Sequence, residues 1–204
     1  MIAIINYGAA NLASVATTFR KAGADVVVTS SPEELTAAEK LVLPGVGAFD
    51  PAMRRLRETG LASRLDELVL GQKKPILGIC LGLQLFTQAS EEGDEPGLGW
   101  IDARTRCFHF DAGLGLKVPH IGWNEIHFRK DHAMIAGLAS EPTVYFAHSY
   151  YVDCTRREDI LATTHYGHEF ASAVQVGNIV GIQFHPEKSH ALGKTLIENF
   201  LGAC

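Results

Sequence analysis

The sequence is sparing with cysteine and keeps what it has far apart. Cys80, Cys107, Cys154 and Cys204 form no C-x-x-C pair in 204 residues, which argues against a disulfide framework and a zinc site alike. Long basic runs are missing too: none exceeds a pair such as Arg54-Arg55, Lys73-Lys74 or Arg156-Arg157, and the formal net charge is −5. A nucleic-acid footprint is therefore not expected. No apolar stretch approaches the length of a membrane span, and Met1 leads directly into Ile2-Ala3-Ile4-Ile5 without a basic start. The reading is a cytoplasmic protein with no membrane contact. Gly45 and Gly47 lack the third glycine and distal acid of a dinucleotide fingerprint, and no P-loop occurs. No cofactor or metal is expected. Repeats, low-complexity stretches and linkers are absent, so residues 1–204 read as one domain.

What is present is an ordinary globular composition, 47% hydrophobic and 20% charged, at a length that buries about 70% of the surface an unfolded chain exposes. Ile2 to Asn6 reads as a buried strand, followed by Leu12, Val15, Ala16 and Phe19 on one helix face, with Asn11 as its cap. Val26-Val27-Val28, Leu41-Val42-Leu43 and Pro75 to Ile79 are further strands, while Met53, Leu56 and Leu61 to Leu70 carry helical spacing. From Trp100 the segments shorten: Val118 to Ile126, Thr143 to Tyr151 and Ile160 to His165. Ala171 to Val176 and Ile179 to Phe184 flank Gly177-Asn178, the pattern of a type II′ hairpin. Leu192, Leu196 and Phe200 mark a terminal helix. The fold class is α/β, a single domain with a central mixed, mostly parallel sheet flanked by helices and antiparallel strands in the C-terminal half.

The chemistry centres on Gly78-Ile79-Cys80-Leu81-Gly82, at a strand end followed by the helix Leu83 to Gln88. This is a nucleophile elbow with sulfur in place of oxygen, whose sharp turn needs small residues two before and two after the nucleophile. A helix N-terminus beneath a sulfur favours thiolate. His185-Pro186-Glu187 follows another apolar strand and offers a base with a carboxylate to orient it, the proline stiffening the link. Pro44-Gly45-Val46-Gly47 follows a third strand. Its backbone N–H groups, that of Val46 included, can turn toward a developing oxyanion, with the Leu81 N–H as second donor. All three segments lie at strand C-terminal ends, where open α/β sheets place their sites.

P-G-V-G, G-I-C-L-G-L-Q and Q-F-H-P-E, in this order and spacing, resemble the class I glutamine amidotransferases, and the likeness spans the chain. The resemblance implies that Cys80 attacks the side-chain amide of glutamine, that His185 protonates departing ammonia and that Glu187 orients it. It further implies that Gly45, Gly47, Gln84 and the backbone around Ser149 and Tyr150 hold glutamine. Asn6-Tyr7-Gly8 with Asn11-Leu12 and Ser14, Lys117-Val118-Pro119-His120-Ile121-Gly122-Trp123-Asn124, Ala147-His148-Ser149-Tyr150 and Glu187-Lys188-Ser189 resemble, within that class, the glutaminase subunits of imidazole glycerol phosphate synthases. That likeness implies a separate (β/α)₈ cyclase as heterodimer partner, with Asn11, Trp123 and Lys188 at the contact. The flexibility of Gly45 and Gly47, and the cost of wasting glutamine, lead to the expectation that the loop at Pro44 to Gly47 turns its N–H groups away until the partner and its ligand bias the active arrangement. Ala10 stands where the pattern has glycine, restricting φ > 0 before Asn11.

His120 and His148 read as hydrogen-bonded strand residues facing the same region. His165-Tyr166-Gly167-His168-Glu169 reads as a loop rather than a metal site, and Cys107, Cys154 and Cys204 as packing or terminal residues. Three other functions fit the same motifs: the glutaminase of a pyridoxal phosphate, guanylate or anthranilate synthase, a stand-alone cysteine γ-glutamyl hydrolase, and an inactive regulatory subunit.

Overall fold

A computed structural model describes residues 1–9 and 11–202, the side chain of Ala112 excepted. The readings made for Ala10 and Cys204 fall outside the described residues. The first half alternates strand and helix: β1 (Ile2–Ile5), α1 (Leu12–Lys21), β2 (Val26–Thr29), α2 (Pro32–Ala37), β3 (Lys40–Gly45), α3 (Phe49–Glu58), α4 (Leu61–Asp66), β4 (Ile76–Cys80) and α5 (Leu81–Leu85). The second half is strand-rich: β5 (Ala103–Cys107), β6 (His120–Glu125), β7 (His127–Phe128), β8 (Thr143–His148), β9 (Tyr150–Cys154), β10 (Ile160–Tyr166), β11 (His168–Val176) and β12 (Ile179–Ile182), closed by α6 (His190–Gly202).

One ten-stranded sheet runs β2-β1-β3-β4-β12-β11-β10-β7, with β9 on β11 and β5 on β9. The five strands from β2 to β12 are parallel and the remaining pairings antiparallel. β6 and β8 form a separate antiparallel ribbon. The apolar runs of the parallel strands are continuous because both faces are covered. Ile2, Ile4, Val42, Leu77 and Ile79 pack with Phe19, Leu196 and Phe200. The alternate residues Ala3, Ile5, Leu41, Leu43 and Ile76 pack with Leu35, Met53, Leu56 and Leu65. The period-2 pleat thus divides the core into two layers, and β4, carrying Cys80 at its end, lies between β3 and β12.

Several boundaries move. The Leu61 to Leu70 helix ends as a π turn over Glu67–Gly71, and the helix after Cys80 spans Leu81–Leu85 rather than reaching Gln88. The run from Thr143 to Tyr151 is two strands, broken at Ser149. His165 to Glu169 is a tight hairpin instead of a loop, since Tyr166 pairs with His168 across Gly167 alone. The Gly177-Asn178 hairpin pairs Val176 with Ile179, and Gly177 has φ 56°. The Asn178 amide donates to the Val69 and Lys74 carbonyls, pinning this turn to the neighbouring segment. Among the described residues no helix is long and apolar enough to cross a membrane.

Candidate active site

The elbow at Cys80 is built by close approach. Cys80 has φ 54° and ψ −108°, a backbone that L-residues seldom adopt and that persists only where neighbours enforce it. A Cβ on Gly82 would lie 1.8 Å from the Leu43 carbonyl oxygen, and one on Gly78 would lie 2.5 Å from the Phe86 ring and 2.8 Å from the Leu83 nitrogen. Both flanking glycines are therefore required by packing of α5 onto β3 and β4, and the turn presents Cys80 with 6% of its surface exposed.

β12 delivers the second group. In β12 the register sets Ile182 beside Ile79, and the chain runs on through Gln183 to His185, whose imidazole is close enough to Cys80 to interact with its charge. His185 Nδ1 lies 2.9 Å from Glu187 Oε1, with both side chains almost fully buried. Burial pulls the imidazole down, but the hydrogen bonds and negative charges of Cys80 and Glu187 outweigh it and raise the pKa to about 9. His185 is thus an imidazolium at neutral pH, the state that stabilises an adjacent thiolate and can give up a proton. Its backbone is held by β8: the His185 N–H donates to the Tyr145 carbonyl, and Ser189 Oγ donates to the His185 carbonyl while accepting from the Tyr145 N–H.

Asn11 sits where the sequence placed a helix cap, yet its side chain makes no cap bond. It adopts φ 70° and donates from Nδ2 to Glu187 Oε1 over 2.9 Å. The sequence offered no signal for this contact, which joins residues 176 positions apart.

A cavity of about 270 Å³ opens in front of Cys80, lined among others by Val46, Gly47, Leu81, Gln84, Ser149 and Tyr150. Gln84 Nε2 donates to the Tyr150 carbonyl at 3.0 Å and to Gln183 Oε1 at 3.2 Å. Gly45 does not reach the cavity wall. It is buried opposite Cys80 in the β3–β4 register, and a Cβ there would lie 2.5 Å from the Tyr7 hydroxyl and 3.0 Å from Leu81. Burial, reinforced by the nearby Cys80 charge, pushes the Tyr7 phenol well above its usual range, so it stays a neutral donor to the Pro44 carbonyl. Gly47, by contrast, has φ 109° and open space around it.

Two further groups line the cavity without having been singled out for it. Glu92 receives the Phe49 N–H at 2.9 Å, and burial raises its carboxyl above the usual range. His148 also lines the cavity. Burial lowers His148 to about 3 and His120 to about 4, so both are neutral. Ile121, which lines the cavity, is 62% exposed, and Trp123, two residues further along β6, is 47% exposed. Trp123 stacks on His190 and meets Tyr145 edge-on, and Lys188 Nζ sits 5.3 Å over the Tyr145 ring. Asn11, Trp123 and Lys188 are all exposed.

The sequence family described as "Glutamine amidotransferase class-I" matches residues 3–204. Among curated proteins, "Imidazole glycerol phosphate synthase subunit HisH 2" of Methanococcus maripaludis is 47% identical over 201 residues, covering 98% of each chain. The HisH subunit of Leptospira borgpetersenii is 42% identical with the same coverage. Among solved structures, PurLQS from Thermotoga maritima superposes with a TM-score of 0.76 at 16% identity, covering 98% of this chain and 97% of that one, a likeness of fold. With a family match over nearly its whole length and relatives this similar from end to end, the chain belongs to the class I glutamine amidotransferase family.

Proposed function

We propose that this chain is the glutaminase subunit of an imidazole glycerol phosphate synthase. It hydrolyses glutamine to glutamate and ammonia and hands the ammonia to a separate (β/α)₈ cyclase, which makes imidazole glycerol phosphate and aminoimidazole carboxamide ribotide in histidine biosynthesis. The observation that carries the chemistry is Cys80 in the wall of a cavity of about 270 Å³ together with the buried His185–Glu187 pair that interacts with it. End-to-end similarity to subunits named for that synthase carries the choice of partner.

The steps follow from the geometry. Cys80 Sγ, as thiolate, attacks the side-chain carbonyl carbon of glutamine. The oxygen that becomes negative is met by the backbone N–H groups of Val46 and Leu81, residues that line the cavity with Cys80. His185 transfers its proton to the amide nitrogen, the C–N bond breaks, and ammonia leaves a γ-glutamyl thioester. His185, now neutral and kept in one tautomer by Glu187, takes a proton from water as it attacks the thioester. Glutamate departs and Cys80 is regenerated. Gln84, Gly47, Ser149 and Tyr150 hold the substrate, with Gly45 supporting the loop from beneath. Asn11, Trp123 and Lys188 form the contact with the cyclase: Trp123 supplies aromatic area and Lys188 a charge. A biosynthetic enzyme that works through a free thiol belongs in the reducing cytoplasm.

The test is Cys80→Ala in the presence of the cyclase. Glutamine-dependent product formation is lost, while ammonia supplied at high pH still supports it. Residual glutaminase activity in that variant would show that the nucleophile is elsewhere.

A further inference from the structure

The proposed reaction pairs Cys80 with His185, but another side chain hydrogen-bonds with the sulfur. Gln183 is fully buried, and its Nε2 lies 3.6 Å from Cys80 Sγ. Which end of a buried amide faces a sulfur is decided by its hydrogen-bond partners, and here the partners leave one answer.

The Tyr150 carbonyl can only accept. Gln84 must therefore turn its NH₂ toward it, at 3.0 Å. The same nitrogen lies 3.2 Å from the Gln183 amide, which must answer with its oxygen and so direct its own NH₂ at Sγ. The second donor to the Tyr150 carbonyl is His148 Nδ1, at 2.8 Å, which fixes His148 as the Nδ1–H tautomer. Being neutral, it has an acceptor at Nε2, and 3.0 Å away stands His120 Nδ1, which must carry the proton. His120 Nε2 is then an acceptor, met at 3.3 Å by Asn124 Nδ2, whose other hydrogen goes to the His165 carbonyl at 3.0 Å. Every proton in this chain is assigned, with no conflict, from β6 at the exposed Trp123 edge to the sulfur.

We infer that Gln183 is a catalytic residue that donates a hydrogen bond to the Cys80 thiolate, that Gln84 fixes its orientation, and that His148, held by His120 and Asn124, is a positioning residue that keeps the Tyr150 carbonyl in place for Gln84. An N–H aimed at a thiolate in a buried site strengthens as the sulfur becomes negative, so Gln183 shares with His185 the work of holding Sγ ionised. The ionisable groups that face Cys80 are His185, with Glu187 behind it, and Tyr7. Glu92 and the neutral His148 also line the cavity. None of these replaces an amide N–H in donating to the sulfur from the β12 side. Continuity with β6 means that a displacement of Asn124 reaches the nucleophile through hydrogen bonds alone.

The inference rests on Cys80 being the reactive sulfur of the proposed glutaminase, and its test needs no glutamine. Alkylation of Cys80 by iodoacetamide, followed by peptide mapping in the full-length chain, reads the thiolate directly. Gln183→Leu slows it about tenfold at pH 7. His148→Asn, whose amide can stand in for Nδ1, keeps the wild-type rate, whereas His148→Leu falls toward Gln183→Leu. A wild-type rate at pH 7 in Gln183→Leu overturns the donor role, and equal rates in the two His148 variants overturn the relay. Should these variants fail to fold, nitrogen NMR of the wild-type chain decides. His120 and His148 are expected as Nδ1–H tautomers that do not titrate between about pH 5.5 and 8, and an Nε2–H proton on His148 or a titration near the ordinary histidine value contradicts the chain. Normal alkylation without glutamine hydrolysis would sink the functional reading and leave this one standing.

Discussion

Asn11 and Glu187 are joined by a 2.9 Å hydrogen bond to the carboxylate oxygen that also meets His185 Nδ1. The residue expected only to cap a helix and touch a partner therefore holds the group that orients the imidazole. Because Glu187 Oε2 is buried without a hydrogen-bond partner among the described residues, Asn11 and His185 are the side chains that settle the carboxylate. Asn11→Ala lowers kcat about tenfold with KM for glutamine little changed, since the lost bond acts on proton transfer and not on substrate. Asn11→Asp does worse by setting like charges together. Steady-state kinetics in the presence of the cyclase separate the two parameters, and a change confined to KM contradicts the assignment.

Stability responds to pH from both sides of neutrality, for opposite reasons. His185 has a folded pKa raised from 6.5 to about 9, so its contribution is complete below about 6.5 and is lost as pH rises through 9. His120 and His148 are lowered from 6.5 to about 4 and about 3. Their contribution is complete above about 6.5 and is lost as pH falls toward those values. Thermal melts from about pH 4 to 9.5 therefore show a maximum near neutrality, and His185→Asn flattens the alkaline limb while leaving the acid limb. An unchanged alkaline limb in that variant would contradict the raised value.

Two glycines separate folding from activity. Gly82→Ala forces a Cβ to within 1.8 Å of the Leu43 carbonyl oxygen, where backbone must move, and costs about 3 kcal/mol or more in urea unfolding. Gly47→Ala meets nothing within 4 Å but must hold φ 109°. It costs less stability, about 1–2 kcal/mol, and reduces turnover through the loop that carries the Val46 N–H. Equal loss of stability in the two would show that space at Gly82 is not the constraint.

Trp123 and Lys188 are exposed beside the half-buried Tyr145, so truncating Trp123 should spare the fold. Trp123→Ala weakens association with the cyclase by about 2 kcal/mol or more, measured by calorimetry, with the melting temperature of the isolated chain within about 2 °C of wild type. Undiminished affinity would move the contact elsewhere.

The elbow and the H-P-E segment were legible in the sequence because their geometry is local. Gly78 and Gly82 flank Cys80 within five residues, and His185 and Glu187 are two apart. The strands of the parallel half were legible because burial on both faces leaves unbroken apolar runs. Asn11 could be read only as a cap and a partner contact, since its hydrogen-bond partner lies 176 positions away. Glu92 lies between α5 and β5, where no helix or strand carries a period, and its place in the cavity depends on the Phe49 N–H across the fold. The ribbon of β6 and β8 showed His120 and His148 as strand histidines, but their neutrality comes from tertiary burial that no spacing encodes. Gly45 looked like a flexible loop glycine, and its contacts with Tyr7 and Leu81 show that it is there for space.

Glutamate release from glutamine by the purified chain, measured alone and then with an imidazole glycerol phosphate cyclase plus its ribonucleotide substrate, tests the proposed function most directly. We predict a low rate alone and a rise of about a hundredfold or more with partner and ligand, abolished by Cys80→Ala, because ammonia is released only when the oxyanion loop and the thiolate are set together. A high rate by the isolated chain that the cyclase leaves unchanged would contradict it, and would make the protein a free-standing hydrolase.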